Sequence, residues 1–171
     1  MTLDQVTDYI TGKEIDNVGA EASRQIFEKF LVEIKGYAKS DVLVDVPLTV
    51  QFKGEDYPSV IDLIVSVEER PFMAITCVAG SIGSYEREIL AGARLVYDHI
   101  IPFAISTDAR DAIIKDACTG KTIGQGLDAI PDYSQAQAIL KKIESTILDP
   151  DKRSGEMIIY RSFNIEKINK L

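Results

Sequence analysis

Val60-Ile61-Asp62-Leu63-Ile64-Val65 is followed, across the turn Glu68-Glu69-Arg70-Pro71, by Phe72-Met73-Ala74-Ile75-Thr76-Cys77-Val78. In the first stretch Ile61, Leu63, Val65 and Val67 alternate with Val60, Asp62, Ile64 and Ser66, the period-two pattern of a strand. The second is apolar on both faces, as a central strand covered on both sides would be. Asp62 is thus a carboxylate amid strand hydrophobics, which is costly unless it is paired or holds a cation. A structural partner such as Arg24 or a backbone turn would satisfy it as well as a ligand would. The neighbouring strand brings no charge to meet it, since it closes on Thr76-Cys77-Val78.

Upstream, Gly19 to Lys35 is expected to be a helix. Ala22, Ile26, Phe30 and Ile34 recur every four residues, Phe27 and Leu31 widen the stripe, and Gly36 ends it. On that wheel Glu21, Arg24, Gln25 and Glu28 lie nearly opposite the apolar stripe. Val42, Val44, Val46, Leu48, Val50 and Phe52 then alternate with Asp45, Thr49 and Gln51, and Lys53-Gly54-Glu55-Asp56 turns the chain into the strand that carries Asp62. Downstream, Gly80-Ser81-Ile82-Gly83-Ser84 leads into a helix from Ser84 to Tyr97, with Tyr85, Ile89, Ala93 and Val96 on its buried face. Strands follow at Ile100 to Ser106 and Ala112 to Ala117. A further helix opens at Pro131-Asp132, where Asp132 and Gln135 have capping-box spacing and Ala136, Ile139, Leu140, Ile143 and Ile147 fit the helical period. The last 20 residues read as partly helical.

The order α-β-β-β-α-β-β-α predicts an α/β fold, a mixed β-sheet of about five strands flanked by helices. A single domain spans residues 1–171, with 132–171 as a C-terminal helical extension. No function is legible in Lys121 to Ala129 or in the C-terminal tail.

Composition narrows the function classes. No apolar run approaches the roughly 20 residues of a membrane helix, and the N-terminus has neither a basic stretch nor an apolar signal core. A cytoplasmic location without membrane contact is the expectation. Cys77 and Cys118 lack metal-ligand spacing, and His99 is the single histidine. Zinc is therefore not expected, and both thiols read as buried and inert. The net charge of −8 argues against strong autonomous nucleic-acid binding, which needs clustered Lys and Arg. Residues 141–171 are the exception, with seven bases against five acids.

The order of elements and several local spellings resemble the N-terminal domain of the restriction subunit of type I restriction enzymes, a PD-(D/E)xK nuclease family. Glu21-Ala22-Ser23-Arg24-Gln25 and Gly36-Tyr37 match the two ends of that family's first helix. Ser59 to Val65 matches its Asp-bearing strand, and Thr107-Asp108-Ala109-Arg110 partly matches its Thr-Asn-Gly-Arg. The resemblance covers roughly residues 18–118. It implies a restriction-endonuclease-like fold, magnesium-dependent cleavage of DNA phosphodiesters, and Asp62 at the metal-binding acid. At the centre the chain departs: where the family has Glu-x-Lys, this chain has Thr76-Cys77-Val78. Hard Mg²⁺ needs several oxygen ligands, and losing one well-placed electrostatic group typically costs about 10²–10³ in rate. The resemblance with this departure implies a catalytically impaired nuclease-like domain with a nucleic-acid-associated binding or structural role, and with no cofactor unless Mg²⁺ in an active form.

Relocated groups are the alternative. Glu86 lies next to the apolar face of the second helix and can turn toward the sheet, with Arg87 as the neighbouring cation although it points away; Glu88 is further round. Acids at a helix N-terminus are also favoured by the dipole alone. An active Mg²⁺-dependent endonuclease would use Glu21, Asp62 and Glu86, with Glu21 and Asp62 as metal ligands. Arg24, Gln25, Ser81 and Ser84 are the candidate nucleic-acid contacts. Gly80 to Ser84 lacks a P-loop ending and reads more simply as a tight connection. The expected partners are DNA, held weakly by the domain alone, and a protein partner or a second copy. A dimeric protein-interaction module without DNA binding is the third class.

Overall fold

Two tight turns stitch three long strands into an antiparallel meander, and one helical crossover extends it to a parallel fourth. The structure is a computed structural model and describes residues 2–169, Asn169 by its backbone alone. Lys170 of the basic C-terminal stretch lies outside the described residues, as do Met1 and Leu171. A short hairpin, β1 (Gln5–Thr7) with β2 (Glu14–Asp16), precedes α1 (Glu21–Glu33). Then come β3 (Val42–Phe52), β4 (Glu55–Val67), β5 (Arg70–Cys77), α2 (Glu86–Leu95), β6 (Phe103–Thr107), β7 (Ala112–Asp116), β8 (Thr122–Gln125), α3 (Tyr133–Leu140) and α4 (Pro150–Asn169). The main sheet runs β3-β4-β5-β6-β7-β8. Its one parallel pair is β5 with β6, because a parallel neighbour can be reached only by a long connection, here through α2.

The sheet separates two cores. Phe27 and Leu31 of α1 and Ala136 and Leu140 of α3 pack on Leu63, Val65, Met73 and Ile75. On the opposite face Ile89 and Ala93 of α2 and Tyr160 of α4 pack on Leu48, Val50, Ile61, Ile64 and Ala74. No described helix is long and apolar enough to cross a membrane.

The predicted mixed α/β architecture is the observed one, with differences of detail. The main sheet has six strands, not about five: β8 falls in the Lys121–Ala129 segment, where Gly124 lets the strand pass close to Ala129. The Asp132–Gln135 capping box starts α3 as expected, but α3 ends at Leu140, leaving Ile147 66% exposed. Cys118 is exposed, contrary to the expectation of two buried thiols.

Two of the apolar patterns fold differently from their sequence reading. On α1, Ala22, Ile26 and Ile34 face outward while Arg24, Phe27, Glu28 and Leu31 are buried. A strict four-residue repeat drifts about 40° per step around a helix, whereas the 24-27-28-31 set is a true i, i+3, i+4, i+7 stripe. Two of its members are charged, so hydrophobicity alone does not reveal it. On β3, Val42 and Val44 belong to the α1/α3 core, but Val46, Leu48 and Val50 belong to the α2/α4 core. The change of face falls at Asp45, whose φ is +52°. The β3–β4 ladder pairs Val44 with Leu63 and Val46 with Ile61, passing over Asp45 and Asp62 between them. On β4 as well, Ile61 and Leu63 go to opposite cores. Asp62 therefore sits where the sheet changes hands, beside a gap in the ladder.

Thr107-Asp108-Ala109-Arg110 forms the turn after β6. Asp108 Oδ1 accepts from the backbone amides of Arg110 and Asp111 at 2.9 Å each. Ala109 takes the left-handed conformation, φ +70°, the place where the resembling family carries glycine. Because an L-residue there costs roughly 1–2 kcal/mol, Ala109→Gly is expected to stabilise the fold by about 1 kcal/mol after the entropy glycine adds to the unfolded chain. Urea unfolding measures this, and an unchanged or lower midpoint would contradict it.

Candidate functional site

Asp62 opens into a cavity of about 390 Å³ between the start of α1, the end of β5, the turn before α2, and the C-terminal turn of α4. Glu21, Arg24, Val78, Ser81, Ser84, Tyr85 and Lys167 line it with Asp62. The Asp62 carboxylate is well supplied. Its Oδ2 accepts from the Cys77 amide at 2.8 Å and from the Thr76 hydroxyl at 3.4 Å, and Lys167 Nζ stands 3.6 Å away.

Lys167 comes from the far end of the chain. Its ammonium donates to Thr76 Oγ1 and lies 3.4 Å from Glu88 Oε1. Glu88 on α2 is 3% exposed. Its other oxygen accepts from Asn164 Nδ2 at 3.4 Å, and Asn164 Oδ1 accepts from Tyr57 at 2.6 Å. Burial raises the Glu88 pKa above the usual carboxylate value, nearby Asp62 acts in the same sense, and Lys167 opposes both. For Lys167 burial disfavours the charge, but Asp62 and Glu88 outweigh it and hold the ammonium above its ordinary pKa.

The side chains reach this point through a polar stripe on α4. Glu156, Tyr160, Asn164 and Lys167 follow each other at intervals of four, four and three, so they share one face. Glu156 receives Arg87 at 2.7 and 3.0 Å and Arg94 at 2.9 Å. Although burial opposes it, those two guanidiniums hold the Glu156 pKa down. The Tyr160 hydroxyl meets Ser59 Oγ at 2.8 Å. Lys167 is thus delivered by a zipper of specific contacts along α2 and β4.

Beneath the cavity, Arg24 is enclosed by acids: Asp45 at 2.7 Å, Glu21 at 2.8 Å, and Asp8 and Glu28 at 3.9 Å each. Gln25 donates to Asp8 at 2.9 Å and accepts from the Tyr9 amide at 2.7 Å. Glu21 is pushed above the usual carboxylate pKa by burial, with Asp45 and Asp62 adding to the push and Arg24 countering it.

The expected site residues divide accordingly. The structure brings Glu21, Asp62, Thr76, Ser81 and Ser84 together, with Val78 on the lining. Arg24 borders the cavity, but its side chain is 4% exposed and surrounded by carboxylates, and Gln25 is turned toward the hairpin. Glu86 and Arg87 are not brought to Asp62: Glu86 pairs with Lys115 at 3.5 Å, and Arg87 faces Glu156. Glu88 stands where Glu86 was expected, because it is the member of the first turn that packs inward under α4. Sequence reasoning set Glu88 aside as further round the helix, and it missed Lys167. The one signal for Lys167 was the 156-160-164-167 spacing in a tail read only as partly helical.

Magnesium needs near-octahedral oxygen coordination at about 2.0–2.1 Å. Among the described residues no group of three or more His, Cys, Asp or Glu is placed to hold a metal. The space between Asp62 and Glu88 is taken by the Lys167 ammonium. As placed, these residues do not fit the ion.

Comparisons with known proteins agree with the architecture. The structure is similar to that of a fragment of a candidate HsdR subunit of a type I restriction enzyme from Vibrio vulnificus YJ016, at 15% identity and a TM-score of 0.53. That similarity covers 73% of this chain and 26% of the other, so the chain spans about a quarter of that structure's length. No curated protein matches. Residues 19–131, the stretch from the start of α1 to just before α3, match the family model of the type I restriction enzyme R protein N terminus. The chain belongs to the family of type I restriction enzyme R protein N-terminal domains.

Proposed function

We propose that this domain is a catalytically impaired member of its nuclease-like family, with a nucleic-acid-associated binding or structural role inside a larger restriction assembly. One observation carries the reading. The carboxylate that would serve a metal, Asp62, is already engaged by the Cys77 amide, the Thr76 hydroxyl and the Lys167 ammonium. The strand positions that would carry an acid and a lysine hold Thr76 and Val78. An acidic chain of net charge −8 meets DNA weakly by itself, so partner subunits supply the affinity, and binding by the domain alone falls steeply with salt.

A second reading has its own support. Asp62, Glu88 and Lys167 reassemble two acids and a lysine in space from three separate elements. This is the active endonuclease with relocated groups, Glu88 standing in for Glu86. Supercoiled plasmid incubated with the domain and Mg²⁺ or Mn²⁺ separates the two. Impairment predicts intact plasmid, no different from an Asp62→Ala control. Metal-dependent nicking that Asp62→Ala abolishes would establish the active reading instead.

A further inference from the structure

Lys167 makes no contact of a surface lysine. Its ammonium is shared by the Asp62 and Glu88 carboxylates and the Thr76 hydroxyl, and two carboxylates so close to one cation would be costly to leave unpaired in a partly buried site. We propose that Lys167 is a tethered cation occupying the place of a divalent ion, so that the domain is closed to metal by its own C-terminal helix and carries a latent Asp62–Glu88 metal site. The inference rests on the reading of an impaired nuclease-like domain and explains what keeps the two acids together once metal chemistry is given up.

Three observations carry it. The distances of 3.6 Å to Asp62 and 3.4 Å to Glu88 put Nζ within ion-pair reach of both carboxylates at once. Glu88 is 3% exposed, and a buried acid beside a second acid needs either a proton or a positive partner, which the Lys167 ammonium supplies. The helix that brings the lysine is fixed upstream by Arg87 and Arg94 on Glu156, by Ser59 on Tyr160 and by Tyr57 on Asn164. The ammonium is therefore held in place by the helix and need not find the acids by chance. A monovalent, non-exchangeable cation balances the carboxylates but leaves no open coordination position for water or phosphate.

Metal titration tests this directly, using Mn²⁺ alone, followed by calorimetry and thermal unfolding. The intact protein is expected to show no binding heat at millimolar Mn²⁺ and no shift in its unfolding midpoint. Lys167→Met, which keeps the stem but removes the charge, is expected to unfold earlier without metal. It should gain a saturable Mn²⁺ response, its midpoint rising roughly 5–10 °C at about a hundred times the dissociation constant. The response should vanish in Lys167→Met combined with Asp62→Asn. Saturable Mn²⁺ binding by the intact protein that depends on Asp62 would overturn the proposal, and this arm needs no folded Lys167 variant. A folded Lys167→Met with no Mn²⁺ response would overturn it as well. Plasmid cleavage reports separately: binding by the intact protein without cleavage removes only the tethered cation, whereas cleavage removes the impaired reading too.

Discussion

Thermal unfolding of an Arg24→Ala variant is expected to occur roughly 6–20 °C below that of the parent chain, a loss of about 3–5 kcal/mol. The size follows from what Arg24 holds together. Its side chain is 4% exposed, and Asp8 and Glu28 beside it are 1% and 0% exposed. Asp45 and Glu21 complete the ring at 2.7 and 2.8 Å. Removing the guanidinium leaves the Asp8, Glu21 and Asp45 carboxylates and the Glu28 carboxyl without their shared cation, and water reaches neither Asp8 nor Glu28 to replace it. Arg24→Lys restores less than half of the loss, because an ammonium cannot direct donors at Asp45 and Glu21 together through a rigid fork. The low-exposure side chains show that this motif residue, common to the family-like Glu21-Ala22-Ser23-Arg24-Gln25 run, works structurally here. A midpoint within 2 °C of the parent, about half a kcal/mol, would refute that assignment.

The second large effect concerns Glu28. Its pKa is raised to about 8, chiefly by burial and next by the Asp8 carboxylate, as hydrogen-bond partner and as charge. The opposing pull of Arg24, 3.9 Å away, and of the Ile10 amide is too small to offset these. Asp8 moves the other way, to about 2: burial opposes its charge, but Thr11, Gln25 and Glu28 hydrogen bonds outweigh it. Of the two, Glu28 is therefore the acid that keeps its proton through the neutral range.

The linkage has a definite sign. Glu28 binds its proton more tightly folded than unfolded, so its contribution is complete below pH 4.5 and lost as pH rises to about 8. Asp8 contributes above 3.8 and loses that contribution as pH falls toward 2. Glu28→Gln keeps the shape and a donor toward Asp8 while removing the titration. Between pH 5 and 8 the parent should lose on the order of 3–5 kcal/mol relative to the variant. Urea unfolding at both pH values measures it; parallel changes in parent and variant would show that Glu28 does not carry the proton.

Much of the fold was legible because strand and helix periods are local. The antiparallel meander from Val42 to Cys77 follows from alternation and two turns. The helix beginning at Asp132 follows from a capping box that the chain closes within four residues. The failures have a common cause. Ile26 and Ile34 look like core and are 61% and 70% exposed, while Arg24 and Glu28 look like surface and are buried. Hydropathy cannot anticipate that surrounding acids balance Arg24 and that Glu28 keeps its proton, which lets both occupy an interior stripe. The change of face at Asp45 was hidden for a related reason: one left-handed residue inverts every side chain beyond it, yet leaves the alternating spelling of Val42 to Phe52 intact.

By itself the amino-acid order determined the mixed sheet, the family frame around Asp62, and the absence of an acid and a lysine at Thr76 and Val78, since each is written within a few neighbouring residues. Only the tertiary structure decided that Glu88 and not Glu86 turns inward, and that Lys167, 91 positions from Thr76, supplies the positive charge beside Asp62. The reason is geometric. A side chain's direction relative to its own helix is a local property, but where that helix lies against the sheet depends on packing along all of α4, which no short stretch of sequence specifies.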